Sequence, residues 1–136
     1  MTSSKSPARS AATRFRVSLP AGVTAPALAR HAVREAMAKF EVDASVAEDL
    51  LLVTSELVTN AVEHGERPTR LELDREGGHL TLRVFDTGTT LPELRAPAPQ
   101  LARSRGLQLV RALSERWGHR RCEGGKYVWA VFELNG

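Results

Sequence analysis

Apolar residues recur along this chain with two periods, and the changes between them divide it into eight segments. Phe15, Val17 and Leu19 alternate with Arg14, Arg16 and Ser18, a period of two that predicts a strand stopped by Pro20-Ala21-Gly22. Thr24, with Pro26 in the following turn, predicts the start of a helix that Leu28, Ala32, Ala36 and Phe40 continue. Asp43 caps a second, longer helix. Its apolar face is Val46, Leu50, Val53, Leu57, Val58, Ala61 and Val62, and Asp49, Glu56, Asn60 and Glu63 form a narrow polar stripe on the other side. His64-Gly65 is expected to end it, with glycine as the left-handed cap. After the polar break Glu66-Arg67-Pro68, TRLELDRE (69–76) and HLTLRVFD (79–86) are alternating strands joined across Gly77-Gly78, a hairpin signal. Thr87 to Arg105 has no period and contains Pro92, Pro97 and Pro99; a connection of that length is a functional lid or a disordered loop. Gly106 opens LQLVRALSERWG, read as a helix ended by Gly118. Two closing strands, roughly Trp117–Glu123 and Lys126–Leu134, turn at Gly124-Gly125.

Strand, helix, helix, strand, strand, loop, helix, strand, strand is the order of a two-layer α/β (α+β) sandwich. Its consecutive hairpins predict a mixed, mostly antiparallel sheet of about five strands with three helices on one face. The 136 residues fit one domain, spanning 13–136, behind a basic and Ser/Ala-rich tail (residues 1–12) expected to be disordered. One cysteine, Cys122, excludes an intramolecular disulfide framework and suits a reducing, cytoplasmic setting. No apolar run approaches the roughly 20 residues of a membrane helix, and the N-terminus lacks the apolar stretch of a signal peptide. The net charge of +3 is small and its basic residues form no dense run, while aromatics are 5% of the chain; neither favours nucleic acid.

Three places carry candidate chemistry. Glu56 and Asn60 stand one turn apart on the same helix face, an acceptor or base beside a neutral oxygen ligand, or else two members of a solvated stripe. Asp86-Thr87-Gly88 ends the inner strand of a hairpin. There a carboxylate can accept from an exocyclic amine while Gly88 admits a flat ring, or it can simply initiate a turn. Ser104-Arg105-Gly106-Leu107 is read as a helix start whose free amides and dipole suit an anion, or as a helix that happens to begin at glycine.

In this order the three resemble the nucleotide site of the GHKL superfamily (gyrase, Hsp90, histidine-kinase and MutL type). The resemblance is closest to its anti-sigma-factor serine kinase branch. LLVTSELVTNAVEHG resembles that family's N box, LTLRVFDTG the box whose aspartate meets adenine, and SRGLQLVRALSERWG with GGKYVW its phosphate-side box and closing hairpin. The resemblance spans about residues 13–134 and implies a Bergerat-type ATP-binding fold. It implies that Asn60 coordinates Mg²⁺, that Glu56 is the general base toward a seryl hydroxyl, and that Asp86 holds the adenine amino group with Gly88 letting the ring lie close. Gly106 and Leu107 would turn backbone amides to the phosphates, Arg105 would add charge there, and residues 89–105 would form a lid. The implied activity is ATP-dependent phosphorylation of an anti-sigma-factor antagonist on serine, together with sequestration of a sigma factor. The alternative is a nucleotide-binding module that regulates by binding alone. A homodimer through the sheet side is a further implication; direct contact with nucleic acid or membrane is not. Thr90, Ser104 and Tyr127 depart from the family pattern, and Tyr127 is expected to fill part of the adenine end. His31, His79 and His119 lack metal-ligand spacing, and Trp117 and Trp129 read as core.

Overall fold

The computed structural model describes residues 14–63, 67–88 and 102–134, with residues 102–105 described in their backbone only. Strand β1 is Arg14–Ser18, helix α1 Ala25–Phe40, helix α2 Ala44–Glu63, strands β2 Pro68–Glu76 and β3 His79–Asp86, helix α3 Ala102–Leu113, and strands β4 Arg116–Cys122 and β5 Gly125–Glu133. The expected tail, the expected cap at His64-Gly65 and positions 89–101 of the expected lid lie outside the described residues. Among the described residues no helix is long and apolar enough to cross a membrane.

The five strands form one sheet in the order β1-β2-β3-β5-β4, antiparallel at every pairing. β3 and β4 therefore run parallel without touching, and β5 fills the slot between them. A parallel pair of strands needs a crossover, and α3 supplies it. Alternation then sorts the side chains. Leu80, Leu82 and Val84 of β3, Val128, Ala130 and Phe132 of β5, and Leu71 and Leu73 of β2 are buried. They form one core cluster with Val33 of α1, Leu50, Val53 and Val58 of α2, and Val110 of α3. The two-layer arrangement expected from the pattern holds.

The helix faces and ends differ from that pattern in three respects. In α1 the buried face is Ala25, Ala29, Ala32, Val33, Ala36 and Phe40, while Leu28 is 49% exposed. Small alanines let α1 lie close to α2, where Arg30 Nη1 donates to Ser55 Oγ at 2.9 Å, and the bulkier Leu28 turns to solvent. Thr24 precedes α1 with a helical backbone and makes no side-chain cap. At the far end, α3 stops at Leu113 rather than running on to Gly118. Ser114 bonds back to the Val110 carbonyl through both its amide (3.0 Å) and its hydroxyl (2.6 Å), and the Glu115 amide donates to Val131 O at 2.7 Å. That last bond commits the chain to the sheet, so Gly118 lies within β4. A Cβ there would come within 2.5 Å of the Trp129 ring, so the indole packs against bare backbone.

The β2–β3 hairpin turns as expected, with Gly77 at φ 61°. Both edge strands carry exposed arginines: Arg14 and Arg16 on β1, and Arg116, Arg120 and Arg121 on β4.

These assignments separate two leucines that the sequence pattern treats alike. Leu82→Ala, at a fully buried site on a central strand, is expected to cost about 2–5 kcal/mol in urea unfolding. Leu28→Ala is expected to change stability by no more than about 0.5 kcal/mol. A large loss at Leu28 would refute the observed orientation of α1.

Candidate active site

The polar stripe of α2 meets α3 at one point. Glu56 is half-buried, and a Cβ built on Gly106 would lie 2.5 Å from its Oε1. α3 can rest on the carboxylate only because position 106 has no side chain. Burial removes water from this carboxylate and pushes its pKa above the ordinary glutamate value; the negative charge of Glu63, two turns further on, pushes it the same way. One turn from Glu56, Asn60 turns its side-chain oxygen inward. Oδ1 is buried and accepts no hydrogen bond among the described residues. An orphaned acceptor of this kind calls for an occupant, and a neutral oxygen is a normal ligand for a hard divalent cation. Among the described residues no group of three His, Cys, Asp or Glu side chains could hold a metal by itself.

The second group lies at the end of β3. Asp86 continues the inward-facing series Leu80, Leu82, Val84 and is 5% exposed. Its register partner on β5 is Lys126, which is 3% exposed and donates from Nζ to Asp86 Oδ1 at 2.8 Å. The Gly88 amide donates to the same oxygen at 2.8 Å. Gly125 allows the two strand ends to approach this closely: any Cβ there would collide with the Asp86 carbonyl oxygen and lie 2.8 Å from Thr87 Cα.

Lys126 is the residue that motif reading missed, and Tyr127 is the one it misplaced. Tyr127 belongs to the outer series of β5, where its ring stands 4.8 Å from that of Phe85. The Arg70 guanidinium lies over the same Phe85 ring, 3.7 Å from its centroid. Tyr127 therefore points away from the helices and does not fill the end of the sheet beside Asp86. Counting by twos from the apolar residues Val128 and Ala130 places Lys126 on the inner side, a signal present in the sequence.

The helix start also differs from the sequence reading. α3 begins at Ala102, so residues 102–105, expected as the end of the lid, are helical and Gly106 is in the second turn. Alanine and arginine are good helix formers, and they extend the helix through a glycine that costs it only about 1 kcal/mol. The amides of Gly106 and Leu107 then have the carbonyls of residues 102 and 103 as helical partners and are not free donors. Leu107 is buried among the core side chains, and the side chain of Arg105 lies outside the described atoms.

The structure thus joins Glu56 to Gly106 and Asp86 to Gly88. Among the described residues no hydrogen bond or ion pair links the two groups, but both belong to one end of the molecule. The Thr87 amide donates to Arg67 O at 3.0 Å, and only three residues, a span of at most about 15 Å, separate Arg67 from the last residue of α2.

Two tests follow from the Glu56 environment. Gly106→Ala should leave thermal stability intact, since the gain in helix propensity opposes the contact, yet rotate the Glu56 side chain and shift its carboxyl ¹³C titration in NMR. A proton binds Glu56 more tightly in the folded protein than in the unfolded one, so this group withdraws stability as pH rises through its ordinary value toward the raised one. Glu56→Gln should therefore raise the melting temperature at pH 7, with a gain that shrinks toward pH 4. An equal gain at both would remove the burial argument.

Among solved structures, the chain is similar to the crystal structure of the RsbU and RsbW domains of Rv1364c from Mycobacterium tuberculosis. The TM-score is 0.68 and the identity 24%, over 89% of this chain and 32% of that one. At that identity the likeness is one of fold, and this chain spans about a third of the other's length. No curated protein matches. The model of the histidine kinase-like ATPase domain matches residues 19–132, well over half of the sequence, and the chain belongs to that family.

Proposed function

We propose that this domain binds ATP with Mg²⁺ and transfers the terminal phosphoryl group to a serine of a partner protein, an anti-sigma-factor antagonist, while also binding a sigma factor. The observation that carries the reading is the pairing of Glu56, half-buried against Gly106 with its proton affinity raised, with the orphaned Asn60 Oδ1 one turn away. In this reading Asn60 contributes its oxygen to Mg²⁺, which, when bound, screens the phosphate charge. Glu56 accepts the proton of the incoming hydroxyl, and a raised proton affinity brings a carboxylate closer to the working range of a general base. Asp86 accepts from the amino group of adenine, and Gly88 and Gly125 keep the backbone beside it bare. Phosphoryl transfer depends chiefly on positioning and charge neutralisation, which this set of groups supports. Membership in the histidine kinase-like ATPase family and the fold likeness support the same reading.

One observation favours a second reading. The amides of Gly106 and Leu107 sit within the helix rather than at its open end, which suits a module that binds partners without transferring phosphate.

The two readings separate when the protein is incubated with γ-labelled ATP, Mg²⁺ and a candidate antagonist. The kinase reading expects label on the antagonist. It also expects Glu56→Ala to slow transfer by roughly 10²–10⁴-fold while calorimetry still registers ATP binding, and Asn60→Ala to remove the Mg²⁺ dependence together with the label. Nucleotide binding without label on the antagonist would favour the binding module. Full-rate transfer by Glu56→Ala would refute the assigned base.

A further inference from the structure

The buried pair at the end of β3 and β5 has more structure than a counter-charge requires. Both donors that reach Asp86, Lys126 Nζ and the Gly88 amide, converge on Oδ1 at 2.8 Å each. Among the described residues no hydrogen bond reaches Oδ2. A carboxylate held by one donor turns readily, because the terminal torsion of aspartate is broad. Two donors on one oxygen, one of them fixed to the backbone and the other carried on a paired strand, fix the plane of the group. Lys126 is itself rigidly supplied: it lies in register opposite Asp86, on a strand whose Gly125 is packed onto the Asp86–Thr87 backbone. Every other inward position of β5 from Val128 to Phe132 is apolar. A buried ion pair is a poor source of stability compared with apolar packing, so its presence at this one position asks for a use.

We propose that Lys126 is a positioning residue for base recognition: together with the Gly88 amide it saturates Oδ1 of Asp86, leaving Oδ2 as a single oriented acceptor for the exocyclic amino group of adenine. This inference rests on the reading of Asp86 as an adenine contact. An acceptor oxygen held in this way rewards a base bearing an amine at that position and opposes one bearing a carbonyl, which would set two acceptors against each other. With the ammonium gone, a carboxylate this deeply buried keeps only the Gly88 amide. One donor leaves its terminal torsion free to turn, and the oriented acceptor is lost.

The test compares two ligands by calorimetry on the full chain with Mg²⁺ present: ADP, and purine riboside 5′-diphosphate, which lacks the amino group. The unaltered protein is expected to prefer ADP by roughly ten- to a hundredfold, the range for a hydrogen bond to a charged group. In Lys126→Met that preference should fall to within about threefold of unity, because ADP loses the affinity that the oriented bond contributed. Lys126→Arg, which returns a cation to the site, should recover part of it, a result that a purely packing role does not produce. If the Met variant fails to fold, as judged by circular dichroism, Lys126→Gln takes its place under the same criterion. A folded Met or Gln variant that keeps the full preference overturns the role of Lys126 and leaves the adenine contact standing. An unaltered protein that binds both ligands equally, or neither, overturns the adenine contact and the inference with it.

Discussion

The antiparallel register of β3 on β5 is the constraint from which the other arrangements follow. It sets Leu80, Leu82 and Val84 beside Phe132, Ala130 and Val128, so the central pair of strands presents an unbroken apolar surface to the helices. Continued to its end, the same register leaves Asp86 facing Lys126 at the one inner row where both residues are charged. It also requires β4 to lie outside β5, parallel to β3 and one strand away, which obliges the chain to cross over the sheet. That crossing is α3, and its path brings Gly106 onto Glu56. One strand pairing therefore fixes the core, the buried ion pair and the approach of the third helix.

Electrostatic compromise is concentrated where the strands end. A half-buried glutamate with raised proton affinity, a buried amide oxygen without a partner among the described residues and a charged pair withdrawn from water all belong to the C-terminal half of α2 or to the ends of β3 and β5. The helix-facing side of the sheet between these ends has no such feature; it is leucine, valine, alanine and phenylalanine, all buried. Proteins depart from local optimality mainly where they act on something, and the contrast between these two regions is the physical argument for a site at this end.

Much of this was legible in the sequence because it rests on local rules. Alternation gave the strands, the turn glycines gave the hairpins, and the spacing of Glu56 and Asn60 gave the stripe. The errors came where tertiary contact overrides local preference. Leu28 fits a helical stripe as well as Ala29 does, and only the tight packing of α1 on α2 selects the smaller residue for the inside. Gly106 and Gly118 look like punctuation, yet each is a place where another element comes too close for a Cβ: the Glu56 carboxylate in one case, the Trp129 ring in the other. Tyr127 drew notice as a departure from a motif, whereas its neighbour Lys126 carries the contact. Motif comparison reads positions one at a time, while the facing of a strand residue is decided by parity along the whole strand.

The sheet's two borders bear on how another protein can approach. β1 and β4 are its only unpaired margins among the described strands, and arginines stand along both. Charged margins resist the addition of a further strand, because an incoming backbone must desolvate those side chains in order to pair. A partner is thereby steered away from lengthening the sheet and toward meeting this domain through side chains, on its helical layer or on the open aromatic and arginine surface of the strands.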